Sequence, residues 1–141
     1  MSDTAQKQLQ NAHTFLSLLS ALDFAAMAEL MAPDFKHEFC PASLPAPGGK
    51  TIRNKEETLE FFKHAWEAVF EYIKFLPPMD IIQGNDAVVL HVKSDGMSKS
   101  GLKYDNEYML TFRFDGEKIV GLKEFADSKY VTDYFAALHA K

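Results

Sequence analysis

The adjacent prolines Pro77 and Pro78 divide the sequence into two parts with different hydrophobic periodicity. Before them, apolar residues recur every three to four positions, which is typical of amphipathic helices. After them, short runs alternate between apolar and polar residues and are separated by turn residues, which predicts strands. The two parts together predict an α+β fold, in which helices pack on one side of a curved antiparallel sheet.

The first part contains three helical segments. The periodicity predicts helices over residues 4–21 and 24–31, and a third that begins after Asn54 and ends before the two prolines. Asp23 is a typical N-cap for the second helix. Asn54 and Glu57 form a variant of the capping box at the start of the third helix.

Strands and turns fill the remaining segments. Residues 35–39 alternate as a short strand with Phe35, His37 and Phe39 on one face. Residues 40–53 are rich in proline and glycine, so they are predicted to form a loop. A meander then follows, with strands over 79–83, 87–93, 104–114 and 117–126, a polar turn over 94–101, and a closing helix over 128–139.

The composition fits one domain over residues 1–141, since 47% of the residues are apolar and 25% are charged. Twelve phenylalanines suit a wide core or an apolar cavity, because phenylalanine adds large apolar area with no polar tip. The net charge of -5 disfavours nucleic acid and anionic membranes as partners. A single cysteine, Cys40, and no visible signal peptide predict a cytoplasmic location.

The last hairpin decides which residues face the interior, because a shift of one residue turns every side chain over. A two-residue turn at Asp115 and Gly116 would place Lys123 beside Tyr108 among apolar residues. A three-residue turn that ends at Gly116 separates apolar from charged residues better, and we adopt it. Its inner face carries Asn106, Tyr108, Leu110 and Phe112 together with Val120, Leu122 and Glu124.

This register places the Glu124 carboxylate among apolar walls. Burial disfavours the charged form of a carboxylate, so the pKa of Glu124 is expected to rise toward the range that suits a general acid or base. His37 lies on another strand of the same predicted face, and its ordinary pKa suits proton transfer. We therefore take Glu124 and His37 as candidate catalytic residues.

The last hairpin also resembles a known family. Residues 104–108 (YDNEY), 112–116 (FRFDG) and 124–127 (EFAD) are similar to the closing hairpin of SnoaL-like domains in the nuclear transport factor 2-like superfamily, which also contains ketosteroid isomerase. The resemblance extends over nearly the whole chain. It implies a cone-like sheet around an inner cavity into which Glu124 and Asn106 point, and a homodimer formed through the outer face of the sheet.

Two functions fit these observations. The first is a cofactor-free enzyme of the isomerase, cyclase or dehydratase type that acts on an apolar, oxygenated small molecule. The second is a non-catalytic protein that binds a lipid, terpenoid or polyketide, or a dimeric adaptor. The candidate ligand-binding residues are Phe35, Phe39, Phe62, Trp66, His91, Asn106, Tyr108, Leu110, Phe112 and Leu122. No metal-ligand or phosphate-loop motif is recognisable, so the sequence predicts neither a metal nor a cofactor.

Overall fold

The structure is a computed structural model that describes residues 2–44 and 49–140. Four helices and eight strands lie in these ranges. In chain order they are α1 (Asp3–Ser20), α2 (Phe24–Leu30), β1 (Met31–Cys40), β2 (Ile52–Asn54), α3 (Lys55–Ala68), β3 (Phe70–Phe75), β4 (Asp80–Gly84), β5 (Ala87–Ser98), β6 (Lys103–Tyr104), β7 (Glu107–Asp115), β8 (Lys118–Ala126) and α4 (Ser128–His139). None of these helices is long and apolar enough to cross a membrane.

All eight strands form one strongly curved sheet in the order β2-β1-β8-β7-β5-β3, and β4 and β6 also pair with β5. The helices cover its concave side, so the predicted α+β, cone-like fold is confirmed. One pairing departs from the antiparallel expectation, because β1 runs parallel to β8. A parallel pair needs a long connection, and the chain from β2 to β7 provides one. The sheet is therefore mixed.

The segment after α3 is a strand and not the end of a helix. Phe70, Tyr72 and Ile73 belong to residue types that favour strands, and β3 pairs with the second half of β5. Residues 94–98 continue β5, where a turn was predicted, because β3 supplies their backbone hydrogen-bond partners. The hydrophobic periodicity of either segment alone does not reveal this pairing.

Gly96 allows three strands to meet at this point. A Cβ atom there would lie 3.1 Å from the Tyr72 carbonyl oxygen and 3.2 Å from the Tyr104 carbonyl oxygen. Both are backbone atoms of paired strands, so neither can move away easily. The absence of a side chain at Gly96 therefore permits the close approach of β3 and β6 to β5.

The register of the last hairpin corrects the predicted turn. Asp115 pairs with Lys118, and Gly116 takes a positive φ of 59°. A bulge between β7 and β8 then leaves Val120 outside the regular pairing, while Ile119, expected on the outer face, is fully buried. Beyond the bulge, Phe112 pairs with Leu122 and Leu110 with Glu124. Because the bulge adds one residue to β8, Leu122 and Glu124 lie on the inner face, as the adopted register predicted, although the turn itself differs.

Local capping interactions agree with the sequence. Asp23, Asn54 and Asp127 accept backbone hydrogen bonds at the starts of α2, α3 and α4, and the capping box between Asn54 and Glu57 is complete.

The buried Gln8 side chain ties α1 to the sheet. Its Nε2 donates to the Asp86 carboxylate at 2.9 Å and to the Gly116 carbonyl at 2.8 Å.

Candidate functional site

A cavity of about 1040 Å³ lies between the concave face of the sheet and the helices α1, α3 and α4. Most of its wall is apolar. The aromatic residues are Phe15, Phe39, Phe61, Phe62, Trp66, Phe70, Phe75, Tyr104, Tyr108 and Phe135, and the charged or titratable ones besides tyrosine are Lys50, Arg53, Glu57, Glu60, His64, Glu124 and His139. Large apolar cavities with few polar groups are the usual form of small-molecule sites.

Several residues predicted to bind a ligand do line this cavity. They are Phe39, Phe62, Trp66, Tyr108, Leu110 and Leu122. Phe35 and Phe112 do not line it and are fully buried in the core, where Phe112 packs edge-on against Phe15 at 5.6 Å between ring centroids. Asn106 is also fully buried and serves the hydrogen-bond network described below.

His91 lies on the outer face of the sheet, which corrects its predicted place in the pocket. It pairs in register with Met109, whose side chain is exposed, and its Nε2 lies 2.6 Å from the Glu107 carboxylate. Both faces of β5 carry apolar residues, so the pattern alone could not decide the side on which His91 lies.

Glu124 and His37 meet at the cavity wall. Glu124 lines the cavity with its side chain 16% exposed, and His37 is fully buried behind it. His37 Nε2 lies 3.1 Å from Glu124 Oε1. An ionised carboxylate only accepts hydrogen bonds, so Nε2 carries the proton and donates. Phe61 and Phe62 flank the imidazole ring at centroid distances of 6.0 and 5.6 Å.

Arg53 lies on the same wall and was missed at the sequence level. The side chain is 5% exposed, and the guanidinium carbon lies 4.0 Å from the centroid of the Phe61 ring. Burial lowers the pKa of Arg53, whereas the negative charges of Glu124 and Glu57 act in the opposite direction. Arg53 belongs to the predicted loop 40–53. It lies at the cavity because β2 pairs with β1, a contact that the sequence alone does not show.

A second polar cluster lies on the other side of Glu124. The Tyr104 hydroxyl accepts hydrogen bonds from Asn106 Nδ2 at 2.9 Å and from the Tyr108 hydroxyl at 3.3 Å. Burial raises the pKa of Tyr104 to about 12, and it also raises that of Tyr108 well above its usual value. Both phenols therefore stay protonated at neutral pH and can act as donors. Tyr104, like Asn106 and Tyr108, has an even number in the same alternating segment, so the period-two pattern could have placed it on the inner face as well.

The buried nitrogens without a hydrogen-bond partner among the described residues include Nδ1 of His37 and Nε1 of Trp66. Trp66 also lines the cavity. Within residues 2–44 and 49–140, no group of three histidine, cysteine, aspartate or glutamate side chains could hold a metal ion.

The fold is thus a curved mixed sheet that, together with the helices, encloses an apolar cavity. The sequence model described as the SnoaL-like domain matches residues 12–122, so the chain belongs to the SnoaL-like domain family. The predicted family is thereby confirmed. Among curated proteins, none matches this chain significantly.

Solved structures of similar fold include PrhC from Penicillium brasilianum, with a TM-score of 0.84 and 22% identity over 98% of this chain and 91% of that one. The BvnE pinacolase from Penicillium brevicompactum has a TM-score of 0.82 and 22% identity, and the match covers 100% of this chain and 97% of that one. AusH from Aspergillus nidulans has a TM-score of 0.73 and 24% identity over 87% and 85% of the two chains. These likenesses establish the fold.

Proposed function

We propose that this protein is an enzyme that moves a proton on an apolar, oxygenated small molecule, as an isomerase, cyclase or dehydratase does, with Glu124 as the general acid or base. The observation that carries the proposal is the place of Glu124, which lines an apolar cavity and is held by His37 at 3.1 Å. A fixed carboxylate within reach of a bound ligand meets the first requirement of general acid–base catalysis, which is geometry.

His37 acts through Glu124 in this proposal and is a positioning residue. It does not line the cavity, and its Nε2–H fixes one of the two carboxylate oxygens. A carboxylate held in this way accepts hydrogen bonds and can take a proton. Glu124 would therefore begin the reaction as a base.

Tyr104 would bind an oxygen of the ligand, and Tyr108 would hold the Tyr104 hydroxyl in place. Because the Tyr104 hydroxyl accepts hydrogen bonds from Asn106 and Tyr108, its own proton is available to an acceptor in the cavity. A phenol placed in an apolar wall polarises a carbonyl more strongly than water does, since the local dielectric constant is low. The pinacolase named above shares the fold, which makes rearrangement chemistry compatible with this scaffold.

A second candidate function is binding without turnover. The contact between His37 and Glu124 also favours this alternative, because a carboxylate that is held permanently by its hydrogen-bond partner would only shape the pocket. A bound lipid, terpenoid or polyketide would then leave the protein unchanged.

A thermal-shift screen of apolar ketones, lactones and fatty acids on the wild type and on Glu124→Gln separates the two functions, once each stabilising ligand is also assayed for turnover. The enzyme proposal expects a ligand that is converted by the wild type and about 10²–10⁴-fold more slowly by Glu124→Gln. Glu107→Gln is the matched control, because Glu107 forms a similar pair with His91 on the outer face. Ligands that stabilise both proteins but return unchanged would favour binding alone.

A further inference from the structure

Arg53 is a buried cation in the cavity wall, and it has no role in the proton transfer proposed above. On β2 it pairs in register with His37 of β1, and His37 in turn pairs with Leu122 of β8. Glu124 lies two residues beyond Leu122 on the same face of β8. Arg53 therefore lies on one side of the Glu124 carboxylate, and the tyrosines of β6 and β7 lie on the other.

The charge of Arg53 persists in the folded protein. A guanidinium remains protonated at any physiological pH, even where burial lowers its pKa. A buried charge is costly unless an opposite charge or hydrogen-bond acceptors compensate it. Glu124 and Glu57 are negative charges that act on Arg53, so Arg53 already has negative charges near it before any reaction begins.

Proton abstraction would move that negative charge. When the C–H bond next to a ketone breaks, the proton goes to the Glu124 carboxylate and the electron pair passes to the carbonyl oxygen, which becomes an enolate. Glu124 is then neutral and the substrate is the anion, so Arg53 exchanges one negative partner for another. The total charge of the wall and the ligand does not change in this step, so a fixed cation lowers the barrier by acting more strongly on the developing enolate than on the Glu124 carboxylate.

We propose that the charge of Arg53 stabilises the enolate whose oxygen Tyr104 binds, and that the substrates are enolisable ketones. This inference rests on the proposed role of Glu124 as a base. It requires only that Arg53 carries its charge at the cavity wall, because the field of a buried cation acts on a nearby anion whatever else the guanidinium binds.

Binding of a stable enolate tests this proposal without turnover. The probe is 2-octanoylcyclohexane-1,3-dione, an enolate at neutral pH, and the neutral control ligand is 2-octylcyclohexanone. Both can be titrated by the fluorescence of Trp66, which lines the cavity and is the single tryptophan of the chain. Wild type, Arg53→Gln and Glu124→Gln are compared. Arg113→Gln serves as the matched control, because Arg113 is an exposed arginine on β7.

Arg53→Gln is expected to weaken binding of the enolate about 10- to 100-fold, since hydrogen bonds to charged groups have that magnitude, and to leave binding of the neutral ketone nearly unchanged. Glu124→Gln, which mimics the protonated carboxyl, is expected to bind the enolate more tightly. Arg113→Gln should behave as the wild type does. If Arg53→Gln does not fold, Arg53→Lys keeps the charge but loses the planar fork, and should weaken enolate binding selectively by a smaller factor.

The proposal is overturned if the Arg53 variant binds the enolate as tightly as the wild type, or if it loses both ligands equally, which would indicate only a structural role in the wall. In either case a loss of turnover in Glu124→Gln would leave the proposed function standing. If the wild type binds neither the enolate nor the neutral ketone, the inference and the proposed ketone chemistry both fail.

Discussion

Tyr104 is a buried residue whose raised pKa can be tested by experiment. Its hydroxyl is buried beside Tyr108 and Asn106, and burial raises its pKa to about 12 from an ordinary value of 10.0. Above pH 10 the unfolded chain loses this proton while the folded protein retains it. The unfolded state therefore binds fewer protons, and stability falls as the pH rises through this range.

We expect the free energy of unfolding to decrease between pH 10 and about pH 12 by up to about 1.4 kcal/mol per pH unit from Tyr104 alone, and Tyr108 should add to the slope. Urea unfolding on either side of pH 10 measures this dependence. Tyr104→Phe should make the decline less steep, whatever its effect on stability at neutral pH. An equally steep decline in this variant would show that Tyr104 does not titrate as described.

Individual residues of the site differed in how far the sequence could place them. Glu124 and Tyr108 were predicted because period-two alternation assigns them to one face once the register is chosen. Arg53 was not, because a charged residue at the end of a loop rich in proline and glycine is normally exposed. Only its pairing with His37, a long-range contact, brings it into the cavity.

The helices and their caps followed from local patterns, while the strand pairings around β5 did not. The caps at Asp23 and Asn54 depend on residues three positions apart, so a sequence shows them directly. The pairing of β3 with residues 94–98 joins residues that are 19 to 28 positions apart in the sequence. An aromatic segment such as 70–75 fits either a helix or a strand until its partner is known.

The junction of β3, β5 and β6 can be tested with a pair of glycine substitutions. Gly96→Ala would place a Cβ atom 3.1 Å from the Tyr72 carbonyl oxygen, so the strands must separate. We expect a loss of about 1–3 kcal/mol in the free energy of unfolding, which is the usual cost of overpacking. Gly84→Ala, where a Cβ atom would meet nothing within 4 Å, is the control and should be nearly neutral. Equal effects at the two positions would contradict the described junction.

At the scale of the whole molecule, the outer face of the sheet exposes several large apolar side chains. Met109 and Phe125 pair across β7 and β8, and their side chains are 40% and 49% exposed. Ile82 on β4 is 54% exposed. Contiguous exposed apolar residues commonly mark an interface between proteins. We propose that a second copy of the chain covers this face, as the family resemblance implies.

Phe125→Glu should convert such a dimer into a monomer, because it would place a charge in an apolar interface. Size-exclusion chromatography with light scattering measures the mass directly. Leu22→Glu, at a residue that is 47% exposed between α1 and α2, is the control and should leave the dimer intact. A wild-type chain that elutes as a monomer at every concentration would refute the proposal.

The central claim is that Glu124 takes a proton from a ligand bound in the cavity. The most direct measurement is the uptake of deuterium next to the carbonyl, recorded by NMR in D₂O for ketones that raise the melting temperature of the protein. We expect the wild type and Glu107→Gln to exchange at least one bound ketone and Glu124→Gln to exchange it about 10²–10⁴-fold more slowly. Bound ketones that exchange equally with and without Glu124, or that do not exchange at all, would contradict the claim.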